Sequence, residues 1–180
     1  MQIEKGEFVC VVGDVGAGKS SLLHAIIGDM IYIPSADVEE IGYDEPVKTE
    51  TMNALRKKVL HPEFSPPEAP ITQRGDLAYV EQSPWIQNKT IRENILFGRP
   101  LDHDRYVNTI IACQLERDLE ILPAGDTTEI GEKGINLSGG QKARISLARA
   151  VYSEAEVVVM DDPISALDAN VKKKIFKHVF

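Results

Sequence analysis

Phe8-Val9-Cys10-Val11-Val12-Gly13-Asp14-Val15-Gly16-Ala17-Gly18-Lys19-Ser20 is the stretch on which the fold turns. Glu7 to Val12 is apolar and β-branched, the pattern of a buried strand. Gly13 to Gly18 is a glycine-rich turn, and Lys19 to Asp29 then reads as a helix with an apolar stripe of Leu22, Leu23, Ile26 and Ile27. Gly13, Gly18, Lys19 and Ser20 fill every fixed position of G-x-x-x-x-G-K-[ST]. The spacing has a chemical reason. Glycines let the backbone curl so that its N–H groups point inward at phosphate oxygens. The helix that follows offers its unpaired N–H groups to the same anion. Lys19 reaches the β- and γ-phosphates, and the Ser20 hydroxyl suits Mg²⁺. A bare glycine turn would satisfy the same pattern; the strand before it and the apolar helix after it favour the phosphate loop. Gly13, Asp14, Val15, Gly16, Ala17, Gly18, Lys19 and Ser20 are therefore candidate nucleotide contacts, with the adjoining Ser21 beside them.

A second apolar run, Val157-Val158-Val159-Met160, reads as a buried strand that ends in Asp161-Asp162. Ligands of open α/β sheets bind at the carboxyl edge of the strands. Asp161 is suited to the water shell of Mg²⁺, a hard cation that prefers carboxylate oxygen. Asp162 stands where a general base or water-positioning carboxylate is needed. Between the two runs, Leu77 to Val80 reads as a short strand. Thr90-Ile91-Arg92-Glu93 fits a capping box that starts a helix ending near Gly98. Asp104 to Leu119 reads as one helix, Ser138 precedes a helix over Gly140 to Tyr152, and Val171 to Phe180 is amphipathic. Thr51 to Leu60 reads as a short helix, followed by a loop broken by Pro62, Pro66, Pro67 and Pro70. Strand, loop and helix alternate at both ends, which argues for a parallel α/β sheet.

Composition narrows the function classes. The chain has 180 residues, enough for one domain, with 43% hydrophobic and 27% charged residues. A net charge of −8 repels phosphate backbones, so nucleic acid is not the expected partner, and any anion must be held by a local device. The two cysteines, Cys10 and Cys113, have no metal spacing, and Cys10 reads as a small core residue. The start lacks a signal-peptide pattern, and no stretch approaches the roughly 18 to 20 apolar residues of a membrane helix. His24, His61, His103 and His178 gain no role from their surroundings.

Leu137-Ser138-Gly139-Gly140-Gln141, continuing through Lys142-Ala143-Arg144-Ile145-Ser146-Leu147-Ala148-Arg149-Ala150, resembles the signature of the ABC transporter ATPases. Ser165-Ala166-Leu167-Asp168 resembles their D-loop, and the resemblance runs over about residues 6 to 180. It implies a P-loop NTPase fold, α/β with a parallel sheet core and a helical signature subdomain. The core would cover about 1–82 and 153–180, the helical subdomain about 83–152 and an insertion about 31–75, in a single partial nucleotide-binding domain. Two such domains pack head to tail in the family, so Ser138, Gly139, Gly140 and Gln141 would meet the ATP of a partner domain. Gln82 resembles the Q-loop glutamine, a Mg²⁺ and water contact; on spacing alone it is an ordinary solvated loop residue. Catalysis would then rest on Asp162, Gln82 and Lys19, and Mg²⁺ on Ser20, Gln82 and Asp161.

Ser83 to Gly98 resembles the first nucleotide-binding domain of subfamily C, the multidrug-resistance-associated branch. That implies membrane domains of the same transporter as partners, a place on the cytoplasmic face, and ATP and Mg²⁺ as cofactors. Trp85 fits either a docking patch or the core. Most active members carry Glu where this chain has Asp162, one methylene shorter, and first domains of subfamily C share the Asp. The resemblance therefore implies an ATP hydrolase of the transporter type, coupled to export, that is slow at its own site. A regulatory domain through which ATP gates a channel or receptor is the other reading. An adenine-stacking aromatic and a switch histidine are expected outside the sequence, upstream and downstream.

Overall fold

The computed structural model describes residues 2–30, 71–131 and 136–180. These fall into two units, Met1–Asp14 with Gly75–Phe180, and Val15–Arg74. The helix expected over Thr51 to Leu60, His61 and most of the expected 31–75 insertion lie outside the described residues.

In the smaller unit, α1 spans Lys19–Ile26. It starts at Gly18, whose φ of 84° is left-handed. It stops short of the expected Asp29 because Gly28, at φ 84°, turns the chain. The N–H of Asp29 donates to the carbonyl of His24 at 2.9 Å and that of Gly28 to Ala25 at 3.3 Å. This crossed pair satisfies carbonyls that the helix end would otherwise leave without donors.

The larger unit is built on two strands, β1 (Leu77–Val80) and β2 (Val157–Met160). They pair in parallel, with Leu77 opposite Val157 and Val80 opposite Met160. The chain between them forms α2 (Ile91–Leu96), α3 (His103–Ala112), α4 (Glu116–Ile121) and α5 (Gly139–Ser153), and α6 (Ala169–His178) follows β2. The capping box is present at α2. The Glu93 N–H donates to Thr90 Oγ1 at 3.1 Å, and the Thr90 N–H donates to Glu93 Oε2 at 2.9 Å. These donors hold the Glu93 carboxyl below its usual pKa.

α5 is the middle of the helical layer. It buries Ala143, Ile145, Ser146, Leu147, Ala148, Ala150 and Tyr152, and contacts α2, α3 and β1. Ile91, Ile95, Ile110, Cys113, Leu115 and Ile175 complete the same cluster. Each fully buried Leu or Ile contributes about 1.5–3 kcal/mol. The Cys113 thiol is fully buried, and burial pushes its pKa up to about 12. No helix among the described residues is long and apolar enough to cross a membrane.

Two expectations are corrected. Residues 7–12 form no strand, and Cys10 is exposed rather than in the core. The composition suits a central strand, but a strand exists only beside a paired neighbour, and no described strand pairs with these residues. Phe8 instead packs on α6, its ring 6.2 Å from Phe176 and 5.9 Å from Phe180. The single helix expected over Asp104 to Leu119 is two, α3 and α4. Gln114, at φ 55°, ends α3; its N–H donates to Ile111, and the Leu115 N–H donates to Ile110 at 3.0 Å. Burial of Leu115 at the corner compensates for the left-handed residue.

Asn94 ties α2 to its surroundings. Its side chain is fully buried; Oδ1 accepts from the Gln87 N–H at 2.8 Å and from Arg149 Nη2 at 3.1 Å, while Nδ2 donates to the carbonyls of Gln87 and Thr90, each at 3.0 Å. Asn94→Ala strands these partners and is expected to cost about 3 kcal/mol, read as a lower urea midpoint at unchanged slope. Gln114→Val is expected to destabilise by about 1–2 kcal/mol, since a β-branched residue resists left-handed backbone, with Gln114→Gly close to neutral in the same assay.

Candidate functional site

Three structural settings carry the residues singled out in the sequence. The first is the glycine-rich loop. Gly13 and Asp14 belong to the larger unit and Val15 to Ser21 to the smaller, so each part is described in its own unit. Gly16 and Gly18 both adopt left-handed backbone, at φ 85° and 84°, which explains glycine at those two positions. The cap of α1 receives no side-chain hydrogen bond, and its first turn holds no acid. Lys19 and Ser20, the first two residues of α1, are half-buried. A glycine-capped helix start with no carboxylate in its first turn lets an anion approach the backbone closely, the character that suits a phosphate.

The second setting is the carboxyl edge of the sheet. The Asp161 N–H donates to the Val80 carbonyl at 2.9 Å, which extends the ladder by one bond and fixes Asp161 at the end of β2. Gln82 lies two residues beyond Val80, so parallel pairing brings Gln82, Asp161 and Asp162 to one edge. Asp161 is half-buried; Gln82 and Asp162 are exposed. Asp162 has φ 46°, a conformation that Asp tolerates better than most residues because its short polar side chain bonds locally. Its carbonyl accepts from Ser165 twice, from the N–H at 3.3 Å and from Oγ at 3.0 Å, and so holds the 161–165 turn closed. At this edge the Asp161 carboxylate and the Gln82 amide oxygen are oxygen donors, the chemistry that Mg²⁺ takes.

The third setting is the start of α5. Ser138 and Gln141 form a capping box: the Gln141 N–H donates to Ser138 Oγ at 3.2 Å, and the Ser138 N–H donates to Gln141 Oε1 at 2.9 Å. The box serves the third residue of the helix, while Gly139 and Gly140 present backbone with no side chain above it. A methyl group on Gly140 would lie 3.4 Å from the Ala166 carbonyl oxygen and 3.5 Å from Leu167. The 165–168 loop therefore lies against the start of α5. Asp168 caps α6, accepting from the N–H groups of Asn170 and Val171 at 3.0 Å each, so that helix starts two residues before the expected Val171.

Trp85, left open by the sequence, is exposed at 52%. Its ring meets Phe97 edge-on at 6.2 Å, and the Arg149 guanidinium lies 4.8 Å from the Phe97 ring centroid and 5.5 Å from that of Trp85. Among the described residues Arg149 donates to neutral acceptors, the carbonyls of Asn94 and Trp85 and the Asn94 amide. Its burial lowers the pKa of the guanidinium, against the pull of Glu81. Asn94, Arg149 and Asp118 carry much of this architecture and escaped the sequence reading. Their partners are as far as 64 residues away, and no motif spacing joins them.

The profile of the ABC transporter family, whose domains have the P-loop NTPase fold, matches residues 1–165. The chain is 47% identical over 179 residues to ATP-binding cassette sub-family C member 3 of Homo sapiens, covering 99% of this chain and 10% of that protein. It is 48% identical over 175 residues to multidrug resistance protein mrp-7 of Caenorhabditis elegans, covering 97% of this chain and 9% of that protein. Bile pigment transporter 1 of Saccharomyces cerevisiae is 47% identical over 178 residues, covering 99% and 10%. The chain therefore spans about a tenth of the length of these relatives. With a helix start suited to phosphate, two carboxylates at a parallel sheet edge and a family profile over most of its length, the chain belongs to the ABC transporter family, as an ATP-binding domain similar to those of sub-family C.

Proposed function

We propose that this chain is the first nucleotide-binding domain of a sub-family C transporter, and that it supplies half of each of two ATP sites. The observation that carries the reading is the presence of two helix starts of different build in one chain. α1 begins at a glycine without a side-chain cap, and α5 begins at a serine cap followed by two glycines. One phosphate chain needs only one such seat. Gly13 to Ser21 hold the ATP of this domain's own site, with Lys19 on the outer phosphates. Ser138, Gly139, Gly140 and Gln141 serve the ATP bound by a second domain packed head to tail. Ser20, Gln82 and Asp161 would hold Mg²⁺, which when bound would supply positive charge to the phosphates. Gln82 and Asp162 orient the attacking water, and Asp162 takes its proton.

The same reading divides the chain into a core at about 1–82 and 153–180, a helical part at about 83–152 and an insertion at about 31–75. The exposed Trp85 and Phe97, with Arg149 beside them, form the contact with the membrane domains on the cytoplasmic face. ATP closes the pair of domains, and closure moves the attached membrane domains to export a substrate. A second reading, in which ATP occupancy gates a channel or receptor, draws on Asp162. Its carboxylate is one methylene shorter than glutamate and ends about an ångström short of the same water, a displacement that costs on the order of a hundredfold in rate. On either reading the site holds ATP and turns it over slowly.

Two measurements test this. Lys19→Ala is expected to weaken Mg-ATP binding by roughly tenfold or more, checked by equilibrium titration with a fluorescent ATP analogue; unchanged affinity would remove the phosphate-loop assignment. Asp162→Glu in the assembled protein is expected to raise turnover at this site by up to about a hundredfold. Single-turnover hydrolysis checks it, and an unchanged rate rejects the role of Asp162 as the deficient base.

A further inference from the structure

One buried charge cluster is left unused by this reading. Asp118, in the first turn of α4, divides its carboxylate between two residues of α5. Oδ1 accepts from Gln141 Nε2 at 3.0 Å. Oδ2 accepts from Arg144 Nε at 3.2 Å and from Arg144 Nη2 at 2.7 Å. The side chains of Arg144 and Asp118 are only 12% and 17% exposed. A charge-assisted pair so shielded from water is stronger and better fixed than one on the surface.

The Gln141 amide connects this pair to the start of the helix. Its Oε1 accepts from the Ser138 N–H at 2.9 Å, while Nε2 faces Asp118. A carboxylate can only accept, so it rejects the oxygen end of an amide and takes the NH₂ end. Asp118 thereby decides which way round the Gln141 amide sits. Turned over, Gln141 would set a donor against the Ser138 N–H and an oxygen against a carboxylate, and the capping box would open. Arg144 pairs with the other oxygen of the same carboxylate.

We infer that Asp118 is a positioning residue for nucleotide. By fixing the Gln141 amide, it holds Ser138 and the N–H groups of Gly139 and Gly140 in the geometry that receives phosphate oxygens across the domain interface. Gln141 then acts through Ser138, its amide oxygen and one N–H being committed within the chain. The inference rests on the reading of the α5 start as a nucleotide seat.

The test uses the assembled full-length transporter and reads two quantities, the KM for ATP at the site that α5 faces and the thermal midpoint. Asp118→Ala removes both contacts and is expected to raise that KM by about tenfold. Asp118→Asn keeps an oxygen for Gln141 and loses the ion pair, so its KM is expected to stay within about threefold. Arg144→Gln also breaks the pair and is expected to lower the thermal midpoint while leaving KM within about threefold. Should Asp118→Ala fail to fold, Gln141→Leu makes the same comparison with the ion pair intact, and the tenfold rise in KM is expected there. A KM that follows thermal loss across the panel, or that is unchanged in both Asp118→Ala and Gln141→Leu, overturns the positioning role. Ser138→Arg separates the two ideas. If it leaves ATP handling normal, the nucleotide seat itself is wrong; if it abolishes turnover while Asp118→Ala is normal, only the role of Asp118 falls.

Discussion

A parallel pair of strands cannot be closed by a tight turn. β1 ends and β2 begins on opposite sides of the sheet, so the chain must cross over before it can pair. Here the crossover is the whole helical layer, α2 to α5. Its helices bury their apolar faces around α5, and α5 in turn rests on β1. The register of the pair then settles the chemistry. With Val80 opposite Met160, Gln82 and Asp161 leave the sheet at the same edge, and no other feature of the larger unit is needed to bring them there. A slip of β1 by one residue would turn the buried Val80 toward the wrong face.

The two helix starts solve the problem of unpaired N–H groups in opposite ways. α1 uses glycine at its cap and in the turn before it, so the backbone itself makes the cradle. α5 uses a serine and a glutamine that satisfy each other, and the glycines follow the cap instead of forming it. A cap made of side chains needs orientation, and Asp118, on another helix, bonds the Gln141 amide that takes part in it. A cap made of glycine needs none, but depends on backbone angles that other residues resist. The first design places the burden on neighbours distant in sequence, the second on the local chain.

Local signals were the legible part of this structure. The capping box at Thr90 lies within four consecutive residues and forms, and the helix expected after Ser138 is present. The runs Leu77 to Val80 and Val157 to Met160 are strands as their composition suggests. The sequence also showed which residues belong to the glycine loop and the sheet edge. It did not show that residues 7–12 form no strand, because composition records the wish for a partner and not its presence. Nor did it show the break at Gln114. Helix ends usually carry glycine, whereas here burial of Leu115 offsets the left-handed residue, and the apolar pattern runs on unbroken. Asn94, Asp118 and Arg149 were invisible for a related reason. Each is polar, each is held by tertiary contacts, and none has a spacing that sets it apart from a solvated residue.

The long crossover also has a consequence in time. The helical contacts are short in sequence and form early, whereas β1 has to wait for β2. During synthesis about eighty residues separate the two strands, on the order of ten seconds of elongation. Throughout that interval Leu77-Ala78-Tyr79-Val80 leaves the ribosome without β2 to pair with, an apolar edge of the kind that seeds aggregation. The α2 to α5 layer is complete by Ser153, four residues before β2 begins, so a preformed surface greets the arriving strand. Anything that slows translation just after Met160 gives that pairing time, and anything that slows it before Val157 prolongs the exposure of β1.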